Sequence, residues 1–397
     1  MPLPMLLWLT LGAFAIGTEG FMIAGLLPAM ARDLGVGIPA AGHLVTAFSL
    51  TYALGTPIMA VLTAGLERRR LLALAMGTFA LSNLIASLAP NYPGLLGARL
   101  LLALSAGTFM PAASGYATAA LPDRRGRALS MVTAGLTLAI VAGVPLGVLV
   151  GEGFGWRATF LAVAGLATLS LLGILARLPR LPAAASASLR ERLAVAGRGD
   201  VLAVLAASVL MMAGAFSAYT YLGVFLAAAA GFGSRELALA LLAFGLASAA
   251  GTQLGGSAAD RWGPRRAAML GGGLAALAFG GLSLVALLWP GHAAPAIFAP
   301  LLLWGLAGWG MMTAQQARLV ALAPALAPVT LSLNASAIYL GSATGAAMGA
   351  LVVAAGAVVQ IGWVAMGFAL LSVLVIGATA RRALLTSAAT ANKALPG

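Results

Sequence analysis

Residues 5–31 read MLLWLTLGAFAIGTEGFMIAGLLPAMA. A helix needs about 20 mainly apolar residues to cross the hydrocarbon core of a bilayer, and this run exceeds that with one charge inside it, Glu19. The roughly 7–15-residue apolar core of a cleavable signal is far shorter, so the run is expected to be a retained first spanning helix. Eleven further runs follow at approximately 41–65, 71–89, 94–120, 128–150, 157–177, 201–226, 235–258, 267–289, 295–321, 330–356 and 360–380. The sequence therefore predicts an all-α polytopic membrane protein with twelve transmembrane helices.

Composition agrees. Apolar residues make up 62% of the chain and charged residues 8%, against about 25% charged in a soluble domain. Lipid removes the difficulty, because the outer surface of the fold can then be apolar as well. There are no cysteines and only two histidines, His43 and His292. Thiol chemistry is thereby excluded and a zinc site disfavoured. The only long polar break, 178–200, holds Arg180, Arg190, Glu191, Arg192, Arg198 and Asp200. It divides the chain into an N-terminal six-helix bundle (1–177), a linker (178–200) and a C-terminal six-helix bundle (201–397).

The net charge of +13 would suggest nucleic acid on a soluble domain, but the positions of the charges argue otherwise. Seventeen of the 22 basic residues fall in loops that alternating helices place on one side: around Arg68, around Arg124, in the 178–200 break, around Arg265 and after span 12. The opposite loops hold only Arg32, Arg157 and Arg235. This positive-inside bias puts both termini and the linker in the cytoplasm, and no nucleic-acid partner is expected. Basic residues are almost all arginine, a usage expected of a GC-rich bacterium, so the bacterial inner membrane is the expected location.

The two halves repeat. Gly143, Gly147 and Gly151 recur as Gly341, Gly345 and Gly349, each 198 residues later, and Arg69–Arg70 recurs as Arg265–Arg266, 196 residues later. Chance coincidence among 51 glycines is the bland alternative. The arginine pair, sharing nearly the same offset without using glycine, supports a duplicated six-helix unit of the kind found in secondary transporters.

Residues 255–266 read GGSAADRWGPRR. Gly263 and Pro264 supply a sharp turn, and the basic residues hold the loop at anionic headgroups. On those grounds alone it could be simply a positive-inside loop. The pattern resembles G-x-x-x-D-R-x-G-x-R-R of the major facilitator superfamily, matched by Gly256, Asp260, Arg261, Gly263, Arg265 and Arg266. In the first copy, AVLTAGLERRR at 60–70, the glycine and aspartate are lost while Arg69 and Arg70 remain. The resemblance implies two pseudo-symmetric six-helix bundles, the major facilitator fold, and a gating role for these loops.

Residues 142–160 read AGVPLGVLVGEGFGWRATF. Small residues at every fourth position lie on one helix face and permit close packing, and Pro145 bends the helix; a plain packing interface is the alternative to a hinge. The Gly–Pro-rich helix followed by G-W-R-x-x-F resembles the drug/proton antiporter branch, notably arabinose, metabolite and drug efflux permeases. AIGTEGFMIAGLLPAMARDLGV (15–36) and YTYLGVFLAAAAGF (219–232) are similar to those permeases too. In that branch this helix is a hinge of alternating access, which implies the role for Gly143, Pro145, Gly147 and Gly151.

Of nine acidic residues, Glu19 alone lies deep in a span, about 14 residues or roughly 21 Å along a path of about 30 Å. An ionised carboxylate there is costly unless neutralised or paired. It is either a proton carrier or a permanently protonated structural group; the resemblance, which includes an acid in helix 1, favours the carrier. Arg99 in span 4 is the natural counter-charge, or else a tie to backbone carbonyls. Polar and aromatic residues in the remaining spans are candidate substrate contacts: Thr18, Phe21 and Phe109 in the first half, then Phe216, Tyr219 and Tyr221 in span 7. Gln253, Trp309, Gln315, Asn334 and Tyr339 complete the set. Such a lining suits small amphipathic or aromatic solutes.

The expected function is proton-coupled efflux of a small-molecule substrate such as a drug, sugar or metabolite. It would use protons from the membrane gradient and no cofactor, in a monomer surrounded by membrane lipids. Uptake by symport or facilitation is the alternative within the fold. A membrane enzyme or lipid scramblase is the alternative outside it, disfavoured because no paired catalytic groups occur.

Overall fold

The computed structural model describes residues 3–183, 194–195, 197–290 and 292–393, with side chains at all of these except 3, 4, 325, 328 and 379–393. Arg190, Glu191 and Arg192 of the linker lie outside the described residues, as do the side chains of Arg381, Arg382 and Lys393. Twelve helices among the described residues are long and apolar enough to cross a membrane. The first six are α1 (Leu7–Asp33), α2 (Ile38–Leu62), α3 (Arg68–Ser87), α4 (Tyr92–Ala120), α5 (Pro122–Phe154) and α6 (Trp156–Arg177). The second six are α7 (Gly199–Tyr219, continued by Leu222–Ala230), α8 (Ser234–Trp262), α9 (Pro264–Leu288), α10 (Ala294–Leu322), α11 (Ala327–Ala354) and α12 (Ile361–Lys393). They form two six-helix bundles.

Local chemistry sets the helix ends. Asn91 caps α4 by accepting from the Gly94 N–H at 2.9 Å, with Pro93 in the first turn. Glu67 caps α3 by accepting from the N–H groups of Arg69 (2.7 Å) and Arg70 (3.2 Å). The tight turns α5–α6 and α8–α9 pass through Gly155 and Gly263, at φ 82° and 83°, a conformation that favours glycine. Within the spans, hydroxyls of Thr56, Ser105, Thr108 and Ser248 bond back to carbonyls four residues earlier, satisfying groups that lipid could not. Leucines such as Leu81, Leu172, Leu277 and Leu374 are exposed on the outer surface, as a lipid-facing belt requires.

Two spans depart from uniform helix. A π turn occupies Ala139–Gly143 of α5. It ends two residues before Pro145, which has no N–H to offer the Val141 carbonyl one turn earlier. The helix α7 breaks at Thr220–Tyr221, where two tyrosines are anchored to different helices. Tyr219 donates its hydroxyl to the Phe21 carbonyl of α1 (3.3 Å), and Tyr221 to the Ala346 carbonyl of α11 (3.1 Å).

The internal repeat is visible as packing. Gly143 seats on Thr18 and Phe14 of α1, Gly147 on Met22, and Gly151 on Leu26. In the other bundle, Gly341, Gly345 and Gly349 seat on the α7 backbone at Val209, Ala213 and Ser217. The two glycine stripes thus pack equivalent helix pairs inside each bundle, α5 on α1 and α11 on α7; a Cβ would collide at Gly143, Gly151, Gly341, Gly345 and Gly349 and would be tightly crowded at Gly147.

The bundles meet toward one end of the molecule. On α5, helix α8 packs against residues 139–154 and makes no comparable packing with 125–138. A Cβ on Gly245 of α8 would lie 2.7 Å from the Ile140 carbonyl oxygen and from Val141 Cα, so this glycine sits directly on the π turn. On α2, every buried residue falls between Ala41 and Thr56, whereas residues 57–62 are partly or fully exposed. Gly223 of α7 abuts the Ala24 carbonyl of α1, and Gly42 of α2 abuts the Tyr221 ring. The structure is therefore closed on the side of Asp33 and Gly155 and open on the side that carries Arg69, Arg125 and Arg265. These are called the far side and the basic side below.

Candidate functional site

Glu19 and Arg99 form an ion pair through Glu19 Oε1 and Arg99 Nη1, and both side chains are 0% exposed. Helix α1 carries Glu19 toward α4 because its neighbours Thr18 and Met22 face the α5 seam. Phe48 of α2 covers the guanidinium, whose carbon lies 4.2 Å from the ring centroid, a cation–π contact. Glu19 Oε2 and Arg99 Nε and Nη2 have no hydrogen-bond partner among the described residues. More than nine in ten buried polar groups find one. A pair held this deep with half its hydrogen-bonding capacity unspent is expensive as mere scaffolding.

Above the pair lies an aromatic contact between bundles. Tyr52 of α2 stacks on Tyr339 of α11 with ring centroids 3.6 Å apart and planes inclined by 20°. Phe48 touches both tyrosines, at 6.4 and 6.3 Å. Tyr339 thus stands beside the ion pair rather than among the other substrate candidates. Neither Phe48 nor Tyr52 was singled out from the sequence. Their spacing of four, in an α2 whose other residues apart from His43 are small or aliphatic, was the available signal.

A second aromatic cluster joins α1, α7 and α10. The Phe21 ring lies 6.1 Å from Phe216, 5.7 Å from Tyr219 and 6.3 Å from Trp309. Phe21, Phe216 and Trp309 are partly exposed, while Tyr219 is buried against Phe244 and Trp304. This places four of the sequence candidates together at the top of the opening between bundles. The others are dispersed. Thr18 packs at Gly143; Phe109 is buried against Gly12. Tyr221 is wedged among α2, α7 and α11. Gln315 is buried, donating to the Val204 carbonyl (3.4 Å) and accepting from Arg318 (2.6 Å). Asn334 is buried with its Oδ1 unpartnered, and Gln253 is exposed.

The loops differ as their sequences do. Asp260, Arg261, Arg265 and Arg266 are exposed on the basic side and join no ion pair among the described residues. In the first loop the place of the lost aspartate is held by Ala64, and Glu67, which stands where the second copy has Gly263, serves another purpose. Besides capping α3 it accepts from the Leu181 N–H at 3.1 Å. Arg68 donates to the carbonyls of Gly115 (2.5 Å) and Pro182 (3.0 Å), and Arg69 to that of Leu175 (2.5 Å), while Arg70 is exposed. Burial tends to raise the Glu67 carboxyl, but the N–H groups of Arg69, Leu181 and Arg70 outweigh it and hold its pKa below the usual value. On the far side, the G-W-R turn has a comparable tying role. Asp33 accepts from Trp156 Nε1 (3.1 Å) and pairs with Arg157, which also donates to the Ala89 carbonyl (2.9 Å).

Twelve spanning helices in two repeated bundles, with a buried ion pair between α1 and α4, are the architecture of a membrane transporter rather than an enzyme. Residues 9–346 match the family model for the Major Facilitator Superfamily, and the chain belongs to that superfamily. It is 34% identical over 355 residues to inner membrane transport protein YdhP of Escherichia coli strain K12, covering 88% of this chain and 89% of the relative. It is 36% identical over 266 residues to a chloramphenicol resistance protein of Streptomyces lividans, covering 66% and 68%. The crystal structure of a D-xylose–proton symporter superposes with a TM-score of 0.78 at 16% identity, covering 94% of this chain and 96% of that one; at that identity the likeness concerns the fold.

Proposed function

We propose that this transporter exports small amphipathic organic molecules across a bacterial inner membrane in exchange for protons. The observation that carries the proposal is the Glu19–Arg99 pair, sealed and under-satisfied at mid-span. Positive-inside reasoning assigns the basic side to the cytoplasm, so the structure corresponds to the cytoplasm-open state. Protein and membrane gradient suffice, without a cofactor, in a monomer. Residues 178–200 join the bundles 1–177 and 201–397.

In the cytoplasm-open state Glu19 is held as a carboxylate by Arg99 while solute enters between the bundles. Phe21, Phe216 and Trp309 offer it flat apolar faces, which suit an amphipathic or aromatic molecule with little net charge. Rocking opens the far side, and a proton arriving there neutralises Glu19 and releases Arg99. Return to the cytoplasm-open state drives the proton inward as the pair re-forms. The inward fall of the proton thus drives the outward step of the solute. The resistance named for the Streptomyces relative supports the export direction.

The test is transport by inside-out vesicles with an acid interior, offered a panel of labelled phenicols, sugars and nucleosides. Accumulation of a compound that stops when the gradient is collapsed is the expected outcome. Gradient-driven uptake of a compound by right-side-out vesicles, with none in inverted ones, would replace export by symport.

A further inference from the structure

The Glu19–Arg99 pair belongs entirely to the N-terminal bundle, yet one wall of its chamber comes from the other bundle. Tyr339 of α11 stacks on Tyr52, touches Phe48 and lies within electrostatic reach of Arg99. The remaining walls are residues of α1, α2 and α4 that would travel with the pair when the bundles rock. Tyr339 would not. We propose that Tyr339 is the lid of the proton site, a positioning residue whose withdrawal with α11 is what exposes Glu19 to water on the far side.

Three observations support this. First, Glu19 and Arg99 are 0% exposed although the bundles part on the basic side, so the closed far side does not by itself account for their cover. Second, the shield is aromatic: the Tyr52 and Tyr339 rings are stacked face to face with centroids 3.6 Å apart, leaving no space for water between them. Third, the described residues bring no other ionisable group up to the pair. The groups near Glu19 are Arg99 from α4, Tyr52 from α2, Tyr339 from α11 and Tyr219 from α7, the last bonded to the Phe21 carbonyl. The ionisable groups that α5, α6 and α8 bring to the far side, Glu152, Arg157, Arg235 and Glu236, lie at helix ends. The consequence is a conformational lock: the carboxyl takes up its proton only after α2 and α11 separate and gives it up only as the bundles swing back, before Tyr339 reseals the pair, which forbids proton passage without rocking.

This inference rests on the proposed proton role of Glu19, but its test separates the two. The chain lacks cysteine, so Glu19→Cys gives a single thiol, reconstituted in proteoliposomes and exposed to a charged, membrane-impermeant thiosulfonate. Position 19 should label slowly beside Tyr339 or Tyr339→Phe. Beside Tyr339→Ala or Tyr339→Leu it should label at least about tenfold faster, since exposure no longer waits on a minor state. Leu keeps most of the volume, so it serves if Ala fails to fold. In the same vesicles with Glu19 restored, Tyr339→Leu should dissipate a pH gradient without solute, and adding Glu19→Gln should stop that leak. Faster labelling without a leak would keep the lid and remove the proton role from Glu19. Unchanged labelling in both the Ala and Leu variants, or fast labelling beside Tyr339 itself, would overturn the lid.

Discussion

Arg99 reaches from α4 to pair with Glu19 of α1 at a depth where neither side chain has any exposed surface, and among the described residues only one of its three guanidinium nitrogens finds a hydrogen-bond partner. The pair is therefore poised between two costs. Kept ionised, it spends desolvation energy; neutralised at Glu19, it leaves a bare buried cation. A group balanced in this way responds to a proton arriving from outside, and the predictions below follow from that balance and from the packing around it.

Removing Arg99 should be costly. Arg99→Ala strands Glu19 without its counter-charge, and breaking a buried pair from one side typically costs about 3–5 kcal/mol. Thermal unfolding in detergent should fall by several degrees, and the double variant Glu19→Gln/Arg99→Ala should recover part of the loss. No recovery in the double variant would mean the two residues contribute independently.

Gly245 marks the contact that closes the far side. A side chain there collides with the Ile140 carbonyl on the π turn, so Gly245→Val should disfavour the cytoplasm-open state. Spin labels at Arg32→Cys and Arg235→Cys, both exposed on the far side, should report a longer distance population in the variant. An unchanged distribution would move the pivot away from this glycine.

The glycine stripe of α5 makes a different prediction, because it faces α1 inside its own bundle. In Gly147→Leu the new side chain meets Met22 and Thr159, whose atoms lie 3.3 Å from the Cβ position. Overpacking of this kind costs about 1–3 kcal/mol. Turnover should be lost while membrane insertion persists; normal transport would remove α5 from the moving parts.

Glu67 sets a pH dependence for the first loop. Its pKa is lowered in the folded protein from an ordinary 4.5. The stabilisation it gives is therefore complete above the unfolded value and disappears as pH falls through the folded one. Hydrogen exchange of the Arg69, Arg70 and Leu181 amides should show protection at neutral pH that is lost on acidification, and Glu67→Gln should lack it throughout. Protection independent of both would mean that Arg68 alone holds the loop.

The sequence was readable where one chemical property dominates. Span number followed from hydropathy, and Glu19 stood out because a carboxyl inside lipid has no cheap explanation. Arg99 as its partner followed from charge alone. The repeat showed in glycine spacing because close packing tolerates nothing larger, although spacing could not say that the stripe faces α1 rather than the other bundle. The substrate candidates were less legible. Hydropathy does not tell a tyrosine that plugs a helix junction, Tyr221, from a phenylalanine at the opening, Phe21. Phe48 and Tyr52 were missed because an aromatic residue in a membrane span is ordinary, and its importance here comes from meeting Tyr339 of a helix nearly 300 residues away in sequence. The first loop was read through its lost aspartate, whereas Glu67 had acquired a new task at the start of the linker.

The measurement that bears most directly on the account is solute accumulation in inside-out vesicles under an imposed pH gradient, comparing the native chain with Glu19→Gln. The account predicts that the native protein concentrates its solute, and that Glu19→Gln still exchanges labelled for unlabelled solute but no longer concentrates it when the gradient is applied. Gradient-driven accumulation that survives Glu19→Gln undiminished would contradict it and place the proton elsewhere.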